Sequence, residues 1–258
     1  GFVSIQDALN AALPGQTILV HPGTYRESLW IHTPVKITGY NSRECILEIP
    51  EGSPAAIIVM EAADEKDEVI IQSLTVRGGK RIQRVQNPGV ILEYAEGKNI
   101  IKVVQPDSPA KRAKIFSGSY ISEVDGWKVN FPEAAYAIMA GNGRSKAVEV
   151  EVSTGRTSAR KEMMTEGAYL PGGWPRGIML IESHASIMDC IITDLPGDGL
   201  WVGGDNSKVE ILNNNCTNNQ NSGIVMAYGS TGTVSNNMCR DNKNGISVQN
   251  ERTSPFLY

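Results

Sequence analysis

Few side chains in this sequence are of types that do chemistry, and their spacing brings little of it together. Three aspartates lie in one short stretch, Asp194, Asp198 and Asp205, and cleavage of a glycosidic bond needs two carboxylates about 5 to 9.5 Å apart. None of the three falls in an Asn-x-Asp, Asp-Asp, His-Gly or Arg-x-Lys pattern. Calcium would want clustered carboxylates, and these are isolated. His21, His32 and His184 are scattered, with no Cys or His at ligand spacing. Cys45, Cys190, Cys216 and Cys239 contain no CxxC and are too few for a disulfide framework. They read as buried reduced thiols. The sequence therefore offers no catalytic residue, no metal site and no cofactor.

Composition narrows the classes further. The chain has 258 residues, 24 basic against 28 acidic, for a net charge of -4. Phosphate backbones are bound by clustered Lys and Arg, and no basic block occurs, so no nucleic-acid partner is expected. The longest apolar run, Ala55 to Met60, is far short of the ~20 residues that span a bilayer, so a soluble chain without a membrane span is expected. The chain opens at Gly1 without a Met, which leaves room for a removed targeting segment and leaves the compartment open.

The elements that would position any site begin with a short helix. Ser4 has the character of an N-cap, Asp7 favours the positive helix end, and Ile5, Ala8, Leu9, Ala12 and Leu13 share one face until Pro14-Gly15. Brief strand-like runs follow, among them Thr17–Val20, Leu29–Ile31, Ala56–Val59 and Val69–Ile71, with no helical period between them. That pattern suits a solenoid of short strands capped by the helix. Val20 to Tyr40, VHPGTYRESLWIHTPVKITGY, resembles the opening of right-handed parallel β-helix proteins of the pectin-lyase-like superfamily. Pro22-Gly23-Thr24-Tyr25-Arg26-Glu27 and Pro34-Val35-Lys36-Ile37-Thr38-Gly39 carry the likeness. The later Asp-bearing strand signature of the pectin esterases does not follow.

In the last third the repeat can be counted. Gly177-Ile178, Gly199-Leu200, Gly223-Ile224 and Gly245-Ile246 recur at spacings of 22, 24 and 22. Alternation after each glycine stacks Ile178, Leu200, Ile224 and Ile246 inward, then Leu180, Val202, Met226 and Val248, and turns Met179, Trp201, Val225 and Ser247 outward. Ile187, Ile211 and Val234 align as well, as do Ile192, Cys216 and Cys239. Cys216 and Cys239 then lie one coil apart, roughly 4.8 Å, a distance that permits a disulfide without requiring one. Asn214 and Asn237 align at a turn, with Cys190 one coil earlier, as in an Asn ladder.

Between these segments the pattern changes. Strands are expected at Ile82–Val85, Val90–Tyr94, Ile100–Val104, Tyr120–Val124 and Ala147–Val152, with a helix at Pro132–Ala140. The stretch resembles a PDZ domain through Asn87-Pro88-Gly89-Val90, through Val103-Val104-Gln105-Pro106-Asp107-Ser108-Pro109-Ala110, and through Ser117 to Gly126, where Ser119 replaces the family's usual Asp. The resemblance implies that a partner segment adds a strand in a groove lined by Pro88, Gly89, Val90, Ile91, Leu92, Phe131 and Ala135. The N–H groups of Gly89 and Val90 would hold a terminal carboxylate, while Pro88 lacks the N–H usual at its position. Phe131 stands where a His selects hydroxyl-bearing ligands, so an apolar C-terminal or internal segment is the expected occupant.

The fold expected is mainly β: a right-handed parallel β-helix (solenoid) interrupted by a small α+β PDZ domain. Residues 1–80 form the first β-helix segment with its capping helix, 81–155 the PDZ insert, 156–173 a return linker, and 174–258 the second segment. The function expected is a non-catalytic scaffold that presents the insert to protein partners, with a second subunit or further chain covering the C-terminal coil end. The alternative is a polysaccharide-binding or polysaccharide-processing β-helix, for which Trp30, Trp174 and Trp201 are the candidate stacking rings.

Overall fold

The computed structural model of the chain describes residues 1–61, 68–78, 88–140, 146–165 and 175–257. Contacts divide it into two compact units, residues 1–50, 55–82 and 174–258 in one and residues 51–54 and 83–173 in the other.

The first unit opens with α1 (Ile5–Ala11), capped by Ser4, whose Oγ accepts from the Asp7 N–H at 3.2 Å. The Glu27 carboxylate completes the cap by accepting from the Ile5 and Gln6 N–H groups and from the Ser4 hydroxyl. Negative charge is favourable at that helix end. Ile5 and Leu9 join the core. Leu13 lies beyond the helix, which turns extended at Ala12, and is 64% exposed. Strands β1 (Thr17–Val20), β2 (Gly23–Tyr25) and β3 (Leu29–Ile31) make a first coil. A second consists of β4 (Lys36–Gly39), β5 (Cys45–Glu48) and β6 (Ala55–Met60), and β7 (Val69–Gln72) and β8 (Thr75–Arg77) begin a third.

Among the described residues the second unit is an antiparallel sheet with two helices. Its elements are β9 (Val90–Ala95), β10 (Lys98–Val104), α2 (Pro109–Arg112), β11 (Tyr120–Val124), β12 (Trp127–Lys128), α3 (Pro132–Ala140), β13 (Lys146–Ser153) and β14 (Ser158–Thr165). The sheet runs β14-β13-β11-β10-β9, with β12 paired to β11. Asp125 and Gly126 both take positive φ in the tight β11–β12 turn, the conformation that two-residue hairpins demand. The expected strand Ile82–Val85 and Asn87 lie outside the described residues.

One expectation is corrected here. Residues 158–165 are a strand, not part of a return linker, and pair with β13 from Ser153↔Ser158 to Lys146↔Thr165. Their polarity reflects a strand with one wet face: Met163 and Thr165 are buried in alternation, while Arg160 reaches Glu149 at 3.0 Å. Polar alternation on an edge strand is easily read as a loop.

The chain then resumes the coils. β15 (Arg176–Ile181) completes the third; β16 (His184–Met188), β17 (Ile191–Thr193) and β18 (Leu200–Gly203) make the fourth. β19 (Lys208–Leu212), β20 (Asn215–Thr217) and β21 (Ser222–Ala227) make the fifth, β22 (Thr231–Ser235), β23 (Met238–Arg240) and β24 (Asn244–Val248) the sixth, and β25 (Ser254–Leu257) follows. The coils stack as three parallel sheets, ordered β1-β4-β7-β16-β19-β22-β25, β2-β5-β8-β17-β20-β23 and β3-β6-β15-β18-β21-β24. Across the intervening unit the register is unbroken: Ile57 pairs Ile178, Ile71 pairs Ile187, and Val76 pairs Ile192. Both segments thus share one interior cluster.

The counted repeat has a steric cause. A Cβ on Gly177 would meet the Gly199 carbonyl oxygen at 2.5 Å, and one on Gly199 would meet that of Gly223 at 2.6 Å. Side chains are excluded from this column because successive coils approach through it. Ile178, Leu200, Ile224 and Ile246 stack next to it, and Leu180, Val202, Met226 and Val248 stack two residues on. Met179, Trp201 and Val225 lie outside the interior cluster, yet each is at most 2% exposed.

Two Asn ladders hold the turns. Asn214 Oδ1 accepts from the Cys190 N–H at 3.0 Å, its Nδ2 donates to the Ile187 carbonyl at 2.8 Å, and Asn237 repeats the pattern one coil on. A parallel ladder joins Leu195, Asn219 and Asn242. Replacing Asn214 with Ala leaves the buried Cys190 N–H without its acceptor. Chemical denaturation should show a loss of about 2–3 kcal/mol. The exposed, left-handed Asn218 should cost about 1–2 kcal/mol when changed to Ala.

Candidate functional site

The coil does not assemble the side chains first considered for chemistry. Asp198 is 3% exposed and ion-paired with Arg176 at 3.0 Å; its other oxygen accepts from Asn221 and from the Ser222 N–H. Asp194 accepts from Thr193 and Asn218. These are structural partnerships within and between coils. Burial lowers the pKa of His32, whose Nδ1 lies 3.3 Å from the Met60 carbonyl. Trp201, a candidate sugar-stacking ring, is 2% exposed beneath the Arg176 guanidinium and beside Tyr228. Its face is not open to a ligand. Trp174 lies outside the described residues. Among the described residues no group of three or more His, Cys, Asp or Glu is placed to hold a metal.

A polar cleft on the outer face of the first sheet was not expected. Glu68, His184, Lys208 and Glu210 line it together with Thr233, and the Ser186 hydroxyl donates to Glu68 at 2.8 Å. The alternation of β16 and β19 places these residues outward. Their separation in sequence, 68 against 184–210, hid the grouping.

The more developed arrangement is in the second unit, between β9 and α3. β9 has β10 on one side and, among the described residues, no strand on the other. Ahead of it, the Pro88 carbonyl accepts from the Ala110 N–H at 3.1 Å and the Gly89 carbonyl from the Gln105 N–H at 2.7 Å. In a trans peptide the N–H points opposite to the C=O. The N–H groups of Gly89 and Val90 are therefore turned away from α2 and β10. Only glycine fits at Gly89: φ is +89°, and a Cβ there would fall 2.0 Å from the Ser108 Cβ. Ser108 is in turn fixed as the N-cap of α2.

Pro88, Gly89, Val90 and Leu92 are buried and Ile91 is half-buried along β9. Phe131, just ahead of α3, and Ala135, in its first turn, are 1% and 0% exposed. The residue not anticipated is Tyr136. Its hydroxyl accepts from the Leu92 N–H at 2.7 Å and donates to the Val90 carbonyl at 3.3 Å, joining α3 to the unpaired side of β9. Burial pushes its pKa up to about 12, so the hydroxyl keeps its proton. The available signal was a phenol within a helix otherwise apolar after Glu133, since a buried Tyr needs a partner for its O–H.

Comparison with known proteins covers only part of the chain. Residues 170–256 match the family model described as a right-handed β-helix region. Neither the curated proteins nor the solved structures contain a match. With the parallel sheets of the earlier coils, the match identifies the first unit as a β-helix.

The cysteines are all free thiols. Cys216 and Cys239 are in-register partners on β20 and β23. The hydrogen bond from Cys216 to Cys239 raises the pKa of Cys216, as does burial, and lowers that of Cys239 against the opposing effect of burial. Burial pushes Cys190 up to about 12. Since the thiolate is the reactive form, iodoacetamide at neutral pH should label the half-buried Cys239 first. Cys45, Cys190 and Cys216 should react only after unfolding. Peptide mass mapping checks this; equal rates at Cys216 and Cys239 would refute the asymmetry.

Proposed function

We propose that the chain is a non-catalytic interaction subunit, in which a β-helix body carries a PDZ-like module that receives a partner by strand addition at β9. The observation that carries this reading is the outward-turned edge of β9, with Val90 and Leu92 facing away from β10 and the Gly89 and Val90 amides turned the same way. Such an edge supplies main-chain hydrogen bonds to an extended segment. Phe131 and Ala135 carry no polar group and are closed to solvent in this structure, so an occupant that displaces α3 meets an apolar wall. Pro88 removes one amide from the loop, so an internal segment competes on nearly equal terms with a free C-terminus. Membership of the body in the pectin-lyase-like superfamily is part of the same proposal. It is supported by the work of the opening motif: Glu27 anchors α1, and Arg26 pairs with Glu48 at 2.9 Å.

Ile246, Val248 and Leu257 continue interior columns but are 39%, 46% and 50% exposed. A polysaccharide-acting body is the alternative reading, and the Glu68–Glu210 cleft is the feature that favours it. Saturable binding of uronic-acid oligomers, abolished by Glu210→Gln, would move the function to the coil.

The test of the main reading is an NMR titration of the 1–258 chain with a pool of decapeptides carrying aliphatic residues at alternate positions, free or amidated at the C-terminus. Saturable shifts should centre on Val90 to Glu93 and α3, and amidation should cost less than about tenfold. Shifts confined to the β-helix, or none, would refute it.

A further inference from the structure

We propose that Tyr136 is a gate on the β9 edge: its hydroxyl stands in for the main chain of an arriving strand and must withdraw before a partner can pair. This inference rests on the strand-addition reading above. An added strand joins through the outward N–H and C=O groups of the edge strand. Tyr136 already engages one of each, accepting from Leu92 at 2.7 Å and donating to Val90 at 3.3 Å. A phenolic O–H carries one proton and acceptor lone pairs, so a single side chain meets both backbone groups at once.

The contact is packed into the unit. Tyr136 is 5% exposed, and every residue of α3 except Glu133 is buried. The hydroxyl also remains protonated through the neutral range, so the donation to Val90 is not lost to ordinary changes of pH. A partner that opens the gate must therefore bring its own acceptor for Leu92 and its own donor for Val90. Extended main chain provides both, and a helix, whose backbone groups are already paired, does not. The gate thus selects for an extended segment before any side chain is read.

The two contacts also differ in quality. The acceptance from Leu92 lies at the short end of the usual range, whereas the donation to Val90 is long. Val90 is accordingly the group at which an arriving strand gains its first foothold.

The experiment compares the 1–258 chain with Tyr136→Phe and Tyr136→Ala by amide hydrogen exchange and by titration with the same decapeptide pool. In Tyr136→Phe the Leu92 amide should exchange at least about tenfold faster, since one hydrogen bond protecting it is gone. The Ile101 amide, bonded to the Ser119 carbonyl at 2.7 Å, should not change. The peptides should bind Tyr136→Phe about tenfold more tightly than the unaltered chain, and Tyr136→Ala at least as tightly. Should Tyr136→Ala fail to fold, the Phe variant carries the test. Unchanged Leu92 exchange in Tyr136→Phe overturns the gate. Equal peptide affinity in all three chains overturns the gate and leaves the strand-addition reading standing. Faster exchange with no peptide binding to any chain overturns both and reduces Tyr136 to a structural cap.

Discussion

A β-strand pairs its backbone on two sides, and wherever a neighbouring strand is missing the N–H and C=O groups must find other partners or face water. That constraint shapes this molecule more than any single apolar contact. Within the β-helix, each coil satisfies the next, and the interior columns follow from that register. At the corners and at an edge, side chains that imitate the peptide group take over. Asn214 and Asn219 span adjacent coils at the turns. At the other end, Gln6 of α1 completes β3: its Oε1 accepts from the Trp30 N–H at 2.8 Å, and its Nε2 donates to the Trp30 carbonyl at 3.2 Å. The helix is a cap because it carries this amide as well as Ile5 and Leu9.

Charge is placed by the same logic. The Glu48 carboxylate lies between Arg26 and Arg77 on neighbouring coils and titrates below its usual range, with the Arg26 hydrogen bond the largest cause. Arg176 and Asp198 form a more deeply buried pair, one coil apart in register. Buried ion pairs contribute little net stability, because desolvation offsets their attraction. Their effect here is to penalise a slipped register: moving a coil by one residue would separate the charges and bury each alone.

How much of this was legible follows from where the information lies. The repeat of Gly177, Gly199, Gly223 and Gly245 is written in the chain, because coil packing tolerates no side chain there, and the columns follow by counting. The ladder from Cys190 through Asn214 to Asn237 was visible for the same reason. The Asn219–Asn242 ladder has the same spacing of 23 residues, so its cue was equally present in the chain. β14 was misread because one polar face conceals a strand. At the candidate site the loop and strand were readable from Pro88-Gly89-Val90, whereas the Tyr136 contact depends on the rotation of α3 against β9. No linear pattern encodes that rotation. The Glu68–Glu210 cleft is similar: residues far apart in sequence meet only through the stacking of β7, β16 and β19.

Gln6 and Tyr136 answer the same problem with unequal means, and the difference bears on function. A carboxamide presents a donor and an acceptor on separate atoms, so Gln6 reproduces both bonds of a neighbouring strand residue on the one residue Trp30. A hydroxyl has to bridge with one atom, and Tyr136 therefore spans two residues, Leu92 and Val90, with one short bond and one long. The first arrangement matches what a real strand would supply, and an arriving strand gains nothing by replacing it. The second leaves the bonding of Val90 incompletely met, and under the proposed strand addition an extended segment would improve on it there. An edge sealed by an amide is a terminus; an edge held by a hydroxyl keeps a reason to open.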